Sequence, residues 1–137
     1  MFYAKDGTVM IYFTEKGDIS EFPTEFFFEV KEELGYGEHQ AYQKKVNENL
    51  VYKGKEVRIR GEIVDAEKVL LKSAVLCVGL LDDKGKPIKL TREEFLRDLD
   101  KFKVGILQKL VVRVKDQYGL NIEEEDKGDS EEKNSEK

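Results

Sequence analysis

The run Phe26–Lys31 constrains the fold more than any other segment, because its side chains alternate in character. Every second residue from Phe26 onward is large and apolar, and the intervening positions include Glu29 and Lys31. Side chains of a β-strand point alternately to its two faces, so this pattern predicts a half-buried strand. The side chains predicted to face the core are Phe26, Phe28 and Val30, and those predicted to face away are Phe27, Glu29 and Lys31.

A β-hairpin is predicted immediately before this strand. Thr8–Thr14 is rich in β-branched and aromatic residues, and Ile19–Phe22 can return alongside it. Between them, Glu15–Asp18 has the composition of a turn and contains Gly17. Pro23 has no amide hydrogen to donate, so it should end the pairing. The chain is therefore expected to begin with a small antiparallel sheet.

The residues after this sheet predict a helix and then a short strand. The helix is expected from His39 to a point before Tyr52, because apolar residues recur four positions apart. Its apolar stripe consists of Tyr42, Val46 and Leu50. Lys55–Gly61 then alternates imperfectly and carries several charges, which predicts a short edge strand protected from mispairing.

A second helix is predicted from Asp65, whose carboxylate can cap the exposed amides of a first turn. Apolar residues then recur at helical spacing, namely Ala66, Leu70, Ala74, Cys77 and Leu81. The run Ala74–Leu81 is also compatible with a strand when taken alone. Its length and the upstream cap favour a helix, and burial is expected in either case.

The C-terminal part contains clear helix start signals. Asp82–Gly85 has the composition of a turn, and Pro87 keeps the residues after it extended. Thr91 and Glu94 have the spacing of a capping box, in which each side chain accepts a hydrogen bond from the other residue's backbone amide. A helix is therefore predicted to start at Arg92.

A further helix is predicted near the end of the domain. Phe95 and Leu99 should point inward, a break is expected around Asp100, and Gly119 should cap the final helix. The broad apolar face of that helix consists of Phe102, Ile106, Leu107, Leu110, Val111 and Val114. The predicted fold class is α+β: a small N-terminal antiparallel sheet, made of the hairpin plus one or two strands, followed by a helical C-terminal part.

Charge is distributed very unevenly along the 137 residues. Residues 123–137 hold eight acidic side chains against three lysines, whereas the preceding residues hold 21 acidic and 21 basic ones. Beyond Asn121 only Ile122 is apolar, so ordering this segment would cost entropy with nothing to bury. A single globular domain is predicted over residues 1–121 and a disordered acidic tail over 122–137. The tail either solubilises and spaces the domain or docks on a basic partner.

The charge pattern and the scarcity of reactive residues exclude several functions. No Lys/Arg cluster longer than a pair is present, so nucleic acid is not an expected partner. His39 and Cys77 are the only histidine and the only cysteine, which rules out a histidine-pair or thiolate zinc site. Asp82 and Asp83 lack the further spaced oxygen ligands of a calcium loop. No metal or cofactor is expected.

Catalysis by a Cys77–His39 pair is also not expected. Cys77 lies within an apolar run, so its thiol should be buried and inert. Gly35 and Gly37 lack the lysine and the further glycine of a phosphate-binding loop, and they have the spacing of a strand-to-helix turn. The residues after Met1 do not have the pattern of a signal peptide, and no apolar run is long enough to span a bilayer. A noncatalytic cytoplasmic protein is predicted.

Four segments in a fixed order carry a resemblance to a known family. They are Phe28–Leu34, Gly35–Gln40, Leu81–Ile88 and Leu90–Glu94. Together they resemble the tail assembly chaperones that are encoded beside the tape measure protein in long-tailed bacteriophages, and the resemblance covers about residues 26–120. The motif positions are Tyr36, Gly37, Glu38, Asp82, Gly85, Lys86 and Pro87. Two departures are the lack of a tryptophan near Val78 and the replacement of a Ser or Thr by Gly35.

The resemblance implies a protein that binds the tape measure protein and keeps it soluble before the tail tube polymerises around it. It implies no active site and a location in the cytoplasm of the bacterial host, and it leaves homo-oligomerisation open. The alternative is a structural phage tail protein, of the completion or tube-associated kind, whose N-terminal hairpin extends a neighbour's sheet. A small enzyme is a third class.

Overall fold

The computed structural model describes residues 3–53 and 64–120, and within these ranges the chain forms one five-stranded antiparallel sheet with helices on one face. The strands are β1 (Thr8–Phe13), β2 (Ile19–Ser20), β3 (Phe26–Lys31), β4 (Val75–Leu81) and β5 (Pro87–Thr91). Their order across the sheet is β2-β1-β3-β4-β5. The predicted α+β class is confirmed, as are the N-terminal hairpin and the strand at 26–31.

The helices follow the predicted order. They are α1 (Tyr36–Lys53), α2 (Asp65–Ala74), α3 (Arg92–Arg97) and α4 (Val104–Tyr118), with a 3-10 turn at Leu99–Lys101 before α4. That turn is the predicted break near Asp100. The helix predicted from His39 begins three residues earlier, at Tyr36, and it continues through Tyr52 to Lys53. None of the described helices is long and apolar enough to cross a bilayer.

One hydrophobic core lies between the sheet and the helices. The buried apolar residues of the sheet are Ile11, Phe13, Phe28, Val30, Val75 and Val78, and those of α2 and α4 are Ala66, Leu70, Leu71, Ala74, Leu107, Leu110, Val111 and Val114. Phe95 of α3 and Tyr42 of α1 complete this core. The alternation predicted along β3 is confirmed, because Phe28 and Val30 are fully buried and Phe26 packs against them.

The helix predicted over the run ending at Leu81 is wrong in its second half. The helix α2 stops at Ala74, and Val75 begins β4, which lies between β3 and β5. Val78 pairs with Phe28 on one side and with Leu90 on the other. The apolar spacing of this run fits both structures locally, and long-range strand pairing decides between them. The sheet consequently has more strands than the sequence predicts.

The predicted cap of α2 is also wrong. Val64 occupies the N-cap position, and Asp65 is the first helical residue, so its carboxylate caps no amide. The N–H of Val64 instead donates to Glu67 Oε1 at 3.2 Å. Asp65 still lies in the first turn, where a negative charge interacts favourably with the helix dipole.

The capping box at the start of α3 is confirmed. The Thr91 N–H donates to Glu94 Oε1 at 2.8 Å, and the Glu94 N–H donates to Thr91 Oγ1 at 3.1 Å. Gly119 caps α4 with φ of +73°, a left-handed conformation that glycine adopts without steric cost. The predicted strand at Lys55–Gly61 and the predicted disordered tail at 122–137 lie outside the described residues.

Candidate protein-binding surface

The face of the sheet turned away from the helices carries large apolar side chains. We call it the open face; alongside Lys31, Gly79 and Lys89 it carries six further residues, Met10, Tyr12, Phe27, Glu29, Cys77 and Leu81. None of these residues belongs to the core between sheet and helices, and no described helix packs on them. Leu81 is 46% exposed and the other five are half-buried against one another. An apolar sheet face that no described element covers is a candidate surface for another molecule.

Aromatic rings organise the centre of the open face. The rings of Tyr12 and Phe27 meet edge to face, with centroids 6.2 Å apart. The ring of Phe27 also lies across Gly79 of β4, since a Cβ built at Gly79 would be 2.2 Å from Phe27 Cε2. Because Gly79 has no side chain, it leaves room for the Phe27 ring. The rings of Tyr12 on β1 and Phe27 on β3 therefore form a row that extends over β4 at Gly79.

Replacing Gly79 by alanine is expected to displace this ring. The Gly79→Ala change should lower the free energy of unfolding by about 1–2 kcal/mol, because the new methyl group overlaps the ring. Urea denaturation of both proteins measures the difference. The matched control is Gly105→Ala in α4, where nothing lies within 4 Å of the added Cβ. That change should stabilise the protein by about 0.5–1 kcal/mol. A neutral Gly79→Ala would contradict the placement of the Phe27 ring.

Cys77 lies on the open face, half-buried beside Glu29. Its thiol donates a hydrogen bond to Glu29 Oε1 at 3.1 Å. Burial raises the pKa of the Cys77 thiol, and the neighbouring Glu29 carboxylate raises it further. The raised pKa agrees with the expected inert thiol, but the expected full burial is wrong, because β4 turns Cys77 to the face opposite the core.

His39 and Cys77 are not brought together. His39 lies in the first turn of α1, where it lines a shallow pocket with Tyr36 and Tyr118 on the helical side of the molecule. Cys77 points from the other side of the sheet. Among residues 3–53 and 64–120 no group of three or more His, Cys, Asp or Glu side chains could hold a metal ion.

The first group of motif residues forms the connection from β3 to α1. Glu38 Oε1 accepts a hydrogen bond from the Gly35 N–H at 3.1 Å, and Glu38 Oε2 pairs with Lys31 Nζ. Tyr36 is 77% exposed, and its hydroxyl accepts from Gln40 Nε2 at 2.7 Å. Gly37 has no atom within 4 Å of a built Cβ. Glu38 thus fixes the start of α1, while Tyr36 faces solvent.

Two groups around this connection have shifted pKa values. Burial acts to raise the pKa of Glu38, but the Lys31 ammonium and the Gly35 amide outweigh it, so that pKa lies below its ordinary value. The hydroxyl of Tyr118 donates to the Lys31 carbonyl at 2.8 Å. Burial, followed by the charge of Glu38, raises the pKa of Tyr118 to about 12. Glu38 is therefore ionised and Tyr118 neutral at pH 7.

Replacing Glu38 by glutamine should destabilise the protein in a pH-dependent way. At pH 7 the Glu38→Gln variant should lose about 0.5–1 kcal/mol, because the charge interaction with Lys31 and the helix start disappears. Because the pKa of Glu38 is lower in the folded protein than in the unfolded one, its ionised carboxylate stabilises the fold at pH values above the unfolded-state pKa. This stabilisation is lost as the pH falls through the folded-state pKa. Urea denaturation at about pH 7 and about pH 3 should show the difference between the two proteins shrinking in acid.

The control for this experiment is Glu93→Gln, which removes an exposed carboxylate from α3. It should change stability by less than about 0.5 kcal/mol at both pH values. A difference between wild type and Glu38→Gln that stays constant with pH would contradict the assigned role of the Glu38 charge.

The second group of motif residues builds the turn between β4 and β5. Asp82 Oδ1 accepts from the backbone N–H groups of Lys84 and Lys86, each at 2.8 Å. The Asp82 N–H donates to the Lys86 carbonyl at 2.8 Å, and Gly85 has φ of +82°. Pro87 is the first residue of β5. These residues therefore shape a hairpin turn.

The two motif groups lie at opposite ends of the sheet. Tyr36 follows the end of β3, whereas β4 runs antiparallel to β3 and brings Asp82 next to the beginning of that strand. The motif residues therefore do not converge on one site. The open face was not predicted from the sequence, although Met10 and Tyr12 alternate with the core residues of β1 and leave both faces of that strand apolar.

The β5 edge of the sheet is a poor place for another strand to add. Pro87 has no N–H, and the N–H of Thr91 is bonded to Glu94. In an antiparallel pair, the backbone N–H groups of one strand point alternately toward and away from the neighbouring strand. The hydrogen bond from the Asp82 N–H to the Lys86 carbonyl fixes this alternation along β5, so the N–H of Lys89 also points away from β4. Proline at an edge is a device that opposes strand addition. At the other edge, β2 pairs only with Tyr12 and Phe13, so among the described residues no strand pairs with the outer side of β1 at Thr8–Ile11.

No family model, curated protein or solved structure matches this chain. Its function is consequently inferred from its own residues: the apolar face that no described helix covers, the blocked β5 edge and the distribution of charge.

Proposed function

We propose that this protein is a tail assembly chaperone of a long-tailed bacteriophage, which binds the tape measure protein in the host cytoplasm and keeps it soluble. The open face is the observation that carries the proposal. A chaperone of this kind needs an accessible apolar surface that covers the apolar side chains of its client and later releases them. Met10, Tyr12, Phe27 and Leu81 provide such a surface on a rigid sheet.

The acidic segment 122–137 and the charge-balanced body fit the same role. Many copies crowd on one client during tail assembly, and the net negative charge of this segment opposes their aggregation. A body with equal numbers of acidic and basic residues does not favour binding to nucleic acid. Neither a metal nor a cofactor has a part in this function.

The two alternatives have less support. A structural tail protein that extends a neighbour's sheet needs a free edge: β5 offers few backbone donors, and the edge left beside β2 is limited to Thr8–Ile11 of β1. A small enzyme needs reactive groups that meet in one site, whereas His39 and Cys77 lie on opposite sides of the sheet. Mass spectrometry of purified virions distinguishes a structural tail protein from a chaperone. A structural protein should be present in the virions, and a chaperone should be absent from them.

Co-expression with the tape measure protein tests the proposal. A tape measure segment from the same phage should remain soluble with the wild-type protein, and it should precipitate with the Tyr12→Lys/Phe27→Lys variant, which places two charges on the open face. The soluble fraction of the segment, measured by quantitative gel analysis, should fall at least about fivefold, which corresponds to roughly 1 kcal/mol of lost binding.

The matched control is Val112→Lys, which adds a charge at a side chain 57% exposed on α4, away from the open face. It should keep the segment soluble. Circular dichroism of each variant establishes that its domain is folded. A segment that is equally insoluble with and without the wild-type protein would disprove the chaperone function.

A further inference from the structure

The outer edge of β1 lacks the features that protect the β5 edge. The run Thr8–Ile11 contains neither proline nor a charged residue, and its pairing with β3 continues without a bulge. Sheet edges that must not pair usually carry one of these features. Within the part of the chain that the structure describes, β2 pairs only with the two residues that follow this run. The edge at Thr8–Ile11 is therefore open to an additional strand.

Two hydrogen bonds fix the direction of the backbone groups along β1. The Thr14 N–H donates to the Asp18 carbonyl at 2.8 Å, on the side of β2. The Gly7 carbonyl accepts from the Glu32 N–H at 2.8 Å, on the side of β3. Backbone groups of successive residues in a strand point to opposite sides, so even-numbered residues of β1 face away from β3.

Thr8 and Met10 are the even-numbered residues of the free run. Each presents one N–H and one C=O group to the outside of the sheet. Residues 3–53 and 64–120 provide no hydrogen-bond partner for these groups. Their spacing is the one that an added β-strand requires, because such a strand bonds to every second residue of its neighbour.

A groove lies on the helical side of the same edge. Ile19 of β2 and Val112 of α4 line it, and both side chains are exposed apolar groups. Its other lining residues are Gly105, Gln108, Lys109, Arg113 and Asp116, so its charges are of both signs. A strand beside Thr8–Ile11 continues the line of β2, and every second side chain of that strand points to the helical side. The groove thus suits an occupant with apolar residues at alternate positions.

A second copy of this chain fits the edge poorly. Two β1 strands related by a two-fold axis must avoid Ser20, which β2 places beside β1 in each copy. Pairing centred on Val9 would bring Asp6 of one copy to the site of Ser20 of the other. Pairing centred on Thr8 avoids this overlap, but it sets Gly7 of one copy beside Val9 of the other. Glycine adds no side chain to the groove, so a different partner is favoured.

We propose that the outer edge of β1 binds an extended segment of another protein, which pairs with Thr8 and Met10 as an additional strand. Main-chain hydrogen bonds hold this segment, and its alternate apolar side chains occupy the groove at Ile19 and Val112. The inference goes beyond the proposed function, because the site recognises an extended backbone through the sheet edge and not through the open face.

Hydrogen exchange followed by NMR tests the edge residue by residue. In the free protein the amides of Thr8 and Met10 should exchange rapidly, whereas those of Val9 and Ile11 should be protected by pairing with β3. The probe is a synthetic peptide in which valine alternates with threonine, flanked by lysines for solubility. It should bind saturably and slow the exchange of Thr8 and Met10 at least about tenfold. The same peptide with N-methyl groups on every valine and threonine cannot pair as a strand and should not bind.

A proline substitution tests the edge from the side of the protein. Met10→Pro removes an outward N–H and places a ring where the segment pairs, so it should weaken peptide binding at least about tenfold. Met10→Ala keeps the N–H and is the matched control, with an expected change below about threefold. Val112→Lys puts a charge into the groove and should weaken binding at least about threefold. If Met10→Pro does not fold, the N-methylated peptide tests the same contact with the wild-type protein.

Equal affinity of the wild-type protein for the two peptides overturns the inference. Slow exchange of the Thr8 and Met10 amides in the free protein also overturns it, because the edge is then already paired. Sedimentation equilibrium identifies the strand responsible in that case: a dimer assigns it to a second copy, and a monomer assigns it to the same chain.

Discussion

The Phe28→Ala variant should lose about 3–5 kcal/mol of unfolding free energy, the cost typical of emptying a large aromatic site in a core. Phe28 is fully buried at the centre of an aromatic cluster. Its ring lies 5.5–6.0 Å, centroid to centroid, from the rings of Phe13, Phe26, Phe95 and Phe102. These neighbours come from two strands, from α3 and from the residue that follows the 3-10 turn, so the cavity would weaken the contact between the sheet and the helical layer.

The neighbouring residue provides a matched control. Phe27→Ala removes the same side chain one position earlier in β3, but from the half-buried open face, so it should cost less than about 1.5 kcal/mol. Guanidinium denaturation followed by circular dichroism measures both variants. Equal losses would show that the open face is covered in solution and would contradict its assignment as an uncovered surface.

The second large effect is expected at a buried ion pair between α2 and α4. Lys115 Nζ lies 3.2 Å from Glu67 Oε2, and the two residues are 7% and 3% exposed. Lys115→Met should lower the free energy of unfolding by about 3–5 kcal/mol, because it leaves the Glu67 charge in the core without this cation. Thermal and urea denaturation of the single variant measure the loss.

The double variant Glu67→Leu/Lys115→Met should recover most of that loss, since two apolar side chains can replace a buried pair at little cost. The recovery should be incomplete, because Glu67 Oε1 also accepts a hydrogen bond from the Val64 N–H at the start of α2. A double-mutant cycle gives the coupling between the two residues. A Lys115→Met variant as stable as the wild type would contradict the buried pair.

The candidate surface illustrates how much of a binding site depends on assembly of the sheet. The open face combines residues of three strands, and β4 contributes Gly79, Cys77 and Leu81 to it. A sequence pattern that predicts a helix at these positions cannot reveal the surface. Two further determinants, the Phe27 ring over Gly79 and the Cys77 thiol beside Glu29, exist because β3 and β4 pair in one particular register.

The sequence by itself determined the features that depend on neighbours along the chain. Alternation defined β3, the reciprocal bonds of Thr91 and Glu94 defined the start of α3, and Gly119 defined the end of α4. Only the tertiary structure decided that the run beginning at Val75 is a strand and that none of the described helices covers the open face. The physical reason is separation: a capping box joins residues three apart, whereas the contact between Cys77 and Glu29 joins residues 48 apart, and no local periodicity encodes it.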